Sequence, residues 1–116
     1  MTDSELEERM DEAIHLIREA IEERGGMLDI EKRPDFRWAG AARLPAGRLM
    51  LNTRRTGKAA NTADSKAVVE ASADLSFEGR LLVRLLFYST KTELELPGGA
   101  HKPFGHAGIA RAFDGI

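Results

Sequence analysis

The amino-acid sequence predicts an α+β fold, in which an N-terminal amphipathic helix packs on one face of a mainly antiparallel meander sheet of four or five strands. Two observations predict it. Apolar residues recur every three or four positions before residue 24, and every second position from residue 67 onward. With 116 residues, of which 42% are apolar and 31% charged, the chain is predicted to form a single domain, 1–116.

The first predicted element is a helix over about residues 4–24. Either Thr2 with Glu5 or Ser4 with Glu7 has the spacing of a capping box at its start. Gly25 and Gly26 end it, because glycine adopts the left-handed conformation found at helix C-termini at little cost. One apolar stripe is expected to face the sheet, formed by Leu6, Met10, Ala13, Ile14, Ile17, Ala20 and Ile21.

Five strands are predicted, over residues 27–32, 47–53, 67–77, 80–89 and 92–96. Between residues 33 and 46, glycine and proline interrupt the pattern, so that only an edge piece at Phe36 and Trp38 is expected there. In the third strand, alternation places one set of side chains on the buried face: Ala67, Val69, Ala71, Ala73, Leu75 and Phe77.

Side-chain parity predicts the register of two hairpins. A three-residue loop at 77–79, with Gly79 left-handed, would pair Leu75 with Leu81. A two-residue turn at 90–91 would pair Phe87 with Leu94. Both arrangements keep the apolar residues of neighbouring strands on the same face.

The remaining segment, 97–116, is predicted to begin as a loop and to end in a short helix near residues 107–113. The second face of strand 80–89 presents Leu82, Leu86 and Tyr88, which are too apolar to be left in water without a reason. Two covers are expected as alternatives: the tail, through Phe104, Ile109 and Phe113, or a second copy of the chain in a homodimer.

Composition excludes several classes of function. The chain has no cysteine, so disulfides, thiolate nucleophiles and cysteine-ligated zinc are excluded. No apolar run approaches the roughly 20 residues that span a bilayer, and the N-terminus is acidic rather than basic as in a signal peptide. A cytoplasmic location, no membrane partner and no cofactor are therefore expected.

Charge is distributed unevenly along the chain. Residues 1–26 carry nine acids and three bases, a net charge of −6, whereas residues 27–66 carry a net charge of +5. The leading hypothesis is a non-catalytic binding protein, an inhibitor or adaptor of the size that phages and mobile elements encode, acting by protein–protein interaction. Its predicted contact surface is the acidic side of the helix, formed by Glu8, Asp11, Glu12, Glu19 and Glu22.

Residues 54–66, RRTGKAANTADSK, are interpreted as a long polar connection between two strands. They lack the first glycine and the hydroxyl residue of a phosphate-binding loop. An alternative hypothesis is nucleic-acid binding by the cations of this segment, Arg54, Arg55, Lys58 and Lys66, although no aromatic residue lies among them to stack on bases. Docking onto an acidic protein is a further alternative.

Three histidines are candidate catalytic residues or metal ligands. His101 and His106 flank Lys102-Pro103 in a glycine-rich loop, which makes a small hydrolase the third hypothesis. His15 follows Glu12 at the spacing of helical-bundle metal sites, but it is predicted to point to water without partner helices. The sequence therefore predicts no catalytic residue and no metal ligand.

Overall fold

The computed structural model describes residues 1–59 and 68–116. Helix α1 spans Asp3–Glu23 and helix α2 spans His106–Ala112, with short 3-10 turns at Pro34–Phe36 and Phe113–Gly115. Between the helices run seven strands: β1 (Leu28–Glu31), β2 (Ala39–Leu44), β3 (Gly47–Ala59), β4 (Val68–Phe77), β5 (Arg80–Tyr88), β6 (Thr92–Glu95) and β7 (His101–Pro103). They form one antiparallel sheet in the order β1-β2-β3-β4-β5-β6-β7. The α+β class is confirmed, and the predicted count of four or five strands is wrong.

Helix α1 forms as the periodicity predicts. Thr2 caps it through its hydroxyl, which accepts a hydrogen bond from the Glu5 N–H, and the Glu5 carboxylate accepts one from the Thr2 N–H. Gly25, with φ 83°, follows the last turn. All seven residues of the predicted apolar stripe are buried against the sheet.

Strands β2 and β7 were missed for different reasons. Gly40 resembled a strand breaker, but at this position a Cβ would lie 2.6 Å from the Ile30 Cδ1 and 3.3 Å from the Leu51 Cβ. Glycine therefore leaves room for the side chains of Ile30 and Leu51, which lie opposite it on β1 and β3. Strand β7 has only three residues, too few for a period to be visible.

Both predicted hairpin registers are wrong in detail. Strands β4 and β5 are joined by the two-residue turn Glu78-Gly79, with Phe77 opposite Arg80. A bulge at Leu82 then restores the parity, so that Leu75 faces Val83. The β5–β6 turn lies at residues 89–90, and Leu94 faces Leu85 rather than Phe87.

The core lies on one face of the sheet. Helix α2 packs beside α1 on that face, and its Ile109 and the following Phe113 are buried in the same cluster as the α1 stripe. The tail therefore does not cover the opposite face, contrary to the first of the two predicted covers. Leu82 joins the core because of the bulge, whereas Val69, expected there, is half-buried and outside it.

The second side of the sheet, the outer face, carries no helix of the described residues. Of the three residues predicted to form a homodimer surface, Leu82 belongs to the core instead. Leu86 is half-buried, and Tyr88 is buried but is not part of the core cluster. A homodimer through Leu86 and Tyr88 stays a prediction.

Candidate functional site

The predicted acidic surface lies on the side of α1 that faces away from the sheet. Residues 8, 12, 15, 19 and 22 follow one another at spacings of four and three, so their side chains form one line along the helix. Glu8, Glu12 and Glu22 are exposed, and Glu19 is half-buried. His15 lies in the middle of this line, 2.9 Å from the Glu19 carboxylate.

The carboxylates of α1 fall into two groups. Asp3 pairs with Arg55 at 2.8 Å, and Asp11 pairs with Lys32 at 2.7 Å. The hydrogen bond that Lys32 donates to Asp11 raises the pKa of Lys32. By contrast, Glu8, Glu12 and Glu22 have no ion-pair partner among the side chains that the structure describes. We call these three residues the free acidic stripe.

The helix holds the free acidic stripe rigidly. The capping box fixes its first turn, and seven buried side chains fix its inner side. Lys32, which binds Asp11, also lies 4.5 Å from the centroid of the buried Trp38 ring, so the loop after β1 is tied to the same helix. A partner would therefore meet carboxylates whose backbone is already ordered, which lowers the entropy cost of binding.

The first part of the basic segment that was predicted to be a loop is strand. Residues 54–59 belong to β3 and pair with β4, with a register shift between Arg55 and Lys58. Lys58 is paired through its backbone opposite Val69. Lys66 and the rest of the predicted connection lie outside the described residues.

The side chains of Arg54 and Arg55 extend to opposite faces of the sheet, because neighbouring strand residues alternate. Arg55 points to the helix face, where its guanidinium binds Asp3 and lies 5.3 Å from the Phe36 ring centroid. The hydrogen bond that Arg55 donates to Asp3 raises the pKa of Arg55. Arg54 points to the outer face and donates to the Ser72 hydroxyl at 3.3 Å.

Two arginines that were not singled out in the sequence lie close to this position. Arg33 and Arg37 line a cleft of about 390 Å³ together with Arg54, Arg55 and Asp35. The connection that carries them is held in a strained shape, with φ 61° at Asp35 and 57° at Phe36. In the sequence, the only indication of this cleft was the dense charge of residues 32–37, KRPDFR. These residues approach β3 because of the pairing of β2 with β3, and β2 was not predicted.

His101 and His106 are not brought together. The His101 ring contacts the Glu93 carboxylate at 2.9 Å and the Glu95 carboxylate at 3.2 Å. These contacts, led by the hydrogen bond with Glu93, raise the pKa of His101. His106 lines a groove beside α2 that His101 does not line, and no cavity found among the described residues is lined by both. The hydrolase hypothesis has no geometric support.

The polar side chains on the outer face are matched with one another. Arg84 binds Asp74 at 2.7 Å and Glu95 at 3.4 Å. Glu93 binds Lys91 at 2.7 Å and His101 at 2.9 Å. The hydrogen bond from Lys91, followed by that from His101, lowers the pKa of Glu93. Among the described residues, each charged side chain of this network therefore has a partner within the network, and none of them is left as an unpaired reactive group.

Within the described part of the chain, no three histidine, aspartate or glutamate side chains are grouped as metal ligands would be. None of the helices in that part is long and apolar enough to cross a membrane. No protein-family model, curated protein or solved structure matches the chain.

Proposed function

We propose that this chain is a non-catalytic binding protein, an inhibitor or adaptor, that captures a basic protein surface with the outward side of α1. The observation that carries the proposal is the free acidic stripe. Asp3, Asp11 and Glu19 on the same helix each have a cationic or imidazole partner, whereas Glu8, Glu12 and Glu22 have none in the described residues.

The stripe does not help the fold. Glu8 and Glu12 are one turn apart, where like charges repel and destabilise an isolated helix by a few tenths of a kcal/mol. Their side chains are exposed and bury no apolar surface. A cationic partner surface would relieve the repulsion, and such charges mainly raise the rate of association and select the partner.

The test is affinity capture from a nuclease-treated extract, followed by mass spectrometry and by titration of the purified partner. The charge-reversed double variant Glu8→Lys/Glu12→Lys should lower the affinity for that partner by about tenfold or more, because two attractive contacts become repulsive. Wild-type affinity should fall as salt rises, since exposed charges are screened.

The matched control is Asp29→Lys/Glu31→Lys. These two acids lie two positions apart on β1 on the outer face, and both are exposed. Glu31 also binds Arg33 at 2.9 Å, so its replacement breaks one exposed ion pair, which should contribute little to stability. The control changes the net charge by the same amount on the opposite side of the sheet, and it should keep wild-type affinity. Equal losses in the two variants would show that net charge alone matters, and unchanged capture by Glu8→Lys/Glu12→Lys would remove α1 as the contact surface.

A second candidate function is nucleic-acid binding, and the cleft between Arg33, Arg37 and Arg54 favours it. Within the described residues, Arg37 has no ion pair and Arg54 bonds only to a hydroxyl, so both guanidinium groups have donors to offer to phosphate. We propose Arg37→Ala/Arg54→Ala as the test variant and Arg43→Ala/Arg80→Ala as its control. Binding should be strongest at low salt and should weaken in the first variant only. No mobility shift with wild-type protein at low salt would exclude this function.

A further inference from the structure

An apolar groove among the described residues lies apart from both charged surfaces, since none of their residues lines it. It runs between the β6–β7 hairpin and α2, and it has a volume of about 660 Å³, within the range of small-molecule sites. Buried Leu94 lies at its floor, and half-buried Leu96 and Phe104 present apolar surface to it.

The two walls of the groove are fixed by packing. Gly108 lets α2 approach the hairpin closely, because a Cβ at this position would lie 2.7 Å from the Leu94 Cδ1 and 3.0 Å from the Pro103 carbonyl oxygen. Ile109 and Phe113 anchor the other side of α2 in the core, each no more than 2% exposed. The opposite wall, β7, is joined to β6 by the contacts of His101 with Glu93 and Glu95. The groove is thus held open by the fold.

The charge at the rim is predominantly positive. Lys102 and Arg111 are both exposed and line the groove, and His106 lies beside them. None of the three has an ion pair in the described segments. The one acid at the groove, Asp114, is 3.9 Å from the Arg24 guanidinium. An apolar channel with unpaired cations at its edge is complementary to a molecule that is apolar along its length and anionic at one end.

We propose that this groove binds a small amphipathic carboxylate, of the class of medium-chain fatty acids. The apolar chain lies along Leu96 and Phe104, and the carboxylate meets Lys102 or Arg111. This site is independent of the free acidic stripe, since none of the stripe residues lines it.

Isothermal titration with decanoate, octanoate and decanol tests the proposal. Decanoate should bind saturably, one molecule per chain, with a Kd of about 10–100 µM, as expected for a half-open site. Octanoate should bind roughly four to fifteen times more weakly, because two fewer methylene groups are half to fully buried. Decanol, which has the same chain without the charge, should bind at least about tenfold more weakly.

Three variants localise the binding. Ala107→Trp places a large ring at an exposed position that lines the groove, and it should abolish decanoate binding. Lys102→Glu/Arg111→Glu should weaken decanoate by at least about tenfold and leave decanol unchanged. Arg43→Glu/Arg80→Glu changes the net charge by the same amount at two exposed positions that do not line the groove. It is the matched control and should bind as wild type.

Several outcomes would overturn the proposal. These are no saturable heat with any of the three ligands, equal binding of decanoate and decanol, and undiminished binding in Ala107→Trp. The capture variant Glu8→Lys/Glu12→Lys should bind decanoate normally, so a failure of the proposed function and a failure of this inference are distinguishable.

Discussion

Thr2 and Glu5 close the first turn of α1 by exchanging two hydrogen bonds, of 3.2 Å and 3.3 Å. Thr2→Ala removes the hydroxyl acceptor and leaves the Glu5 N–H to water, which should lower the free energy of unfolding by about 1 kcal/mol. Urea denaturation monitored by circular dichroism measures this loss. Ser4→Ala, at the alternative cap position, is the control and should have little effect. Equal losses would mean that the helix has no unique start.

Because of His101, the free energy of unfolding should decrease as the pH rises above neutrality. Its pKa is raised in the folded chain by the hydrogen bond with Glu93 and by Glu95, so the folded state binds the proton more tightly than the unfolded state. The stabilisation is fully present below the unfolded pKa of about 6.5 and is lost as pH rises through the folded pKa. It should amount to less than about 1 kcal/mol, because the pair is partly exposed.

Urea midpoints from about pH 5 to about pH 9 check this, with His101→Gln as the variant. In that variant the decline above neutral pH should disappear. His106→Gln, which removes an imidazole with no carboxylate partner in the described residues, should keep the wild-type profile. If the decline seen in the wild type persists in His101→Gln, another group causes it.

At the scale of elements, α2 depends on one glycine. Gly108→Val places side-chain atoms against Leu94 and the Pro103 carbonyl, and it should destabilise the protein by about 1–3 kcal/mol. Amide hydrogen exchange of residues 106–112 should become faster than in wild type, because α2 can no longer reach its position on the hairpin. Ala107→Val, at the exposed neighbouring position, is the control for the β-branched side chain. Unchanged protection in Gly108→Val would mean that α2 tolerates a wider separation.

The elements that the sequence predicted well are those with a long, regular period. Helix α1 and the buried set Ala71, Ala73, Leu75 and Phe77 follow directly from spacing. Spacing did not predict the registers of the two hairpins. The bulge at Leu82 and the turn at residues 89–90 shift the pairing by an even number of residues, so the same side chains stay on the same face. Several arrangements with the same parity bury the same side chains, and the sequence does not distinguish them.

At the scale of the molecule, the acidic side of α1 was predictable because helical spacing alone places its residues in one line. Which of these acids remain unpaired was not predictable. Asp3 meets Arg55, and Asp11 meets Lys32, only once the helix lies across the sheet. The cleft of Arg33, Arg37 and Arg54 likewise requires the β2–β3 pairing. Sites that join distant segments depend on topology, which composition and period do not specify.

Two adjacent leucines of β5 test the central claim that the core lies on one face of the sheet. Leu85 is 0% exposed and belongs to the core under α1, whereas Leu86 points to the outer face and is half-buried. The decisive measurement is the free energy of unfolding of Leu85→Ala and of Leu86→Ala in urea. We expect a loss of about 2–5 kcal/mol for Leu85→Ala and of no more than about 1 kcal/mol for Leu86→Ala. Losses of equal size would contradict a one-sided core, and with it the assignment of the outward side of α1 as a free binding surface.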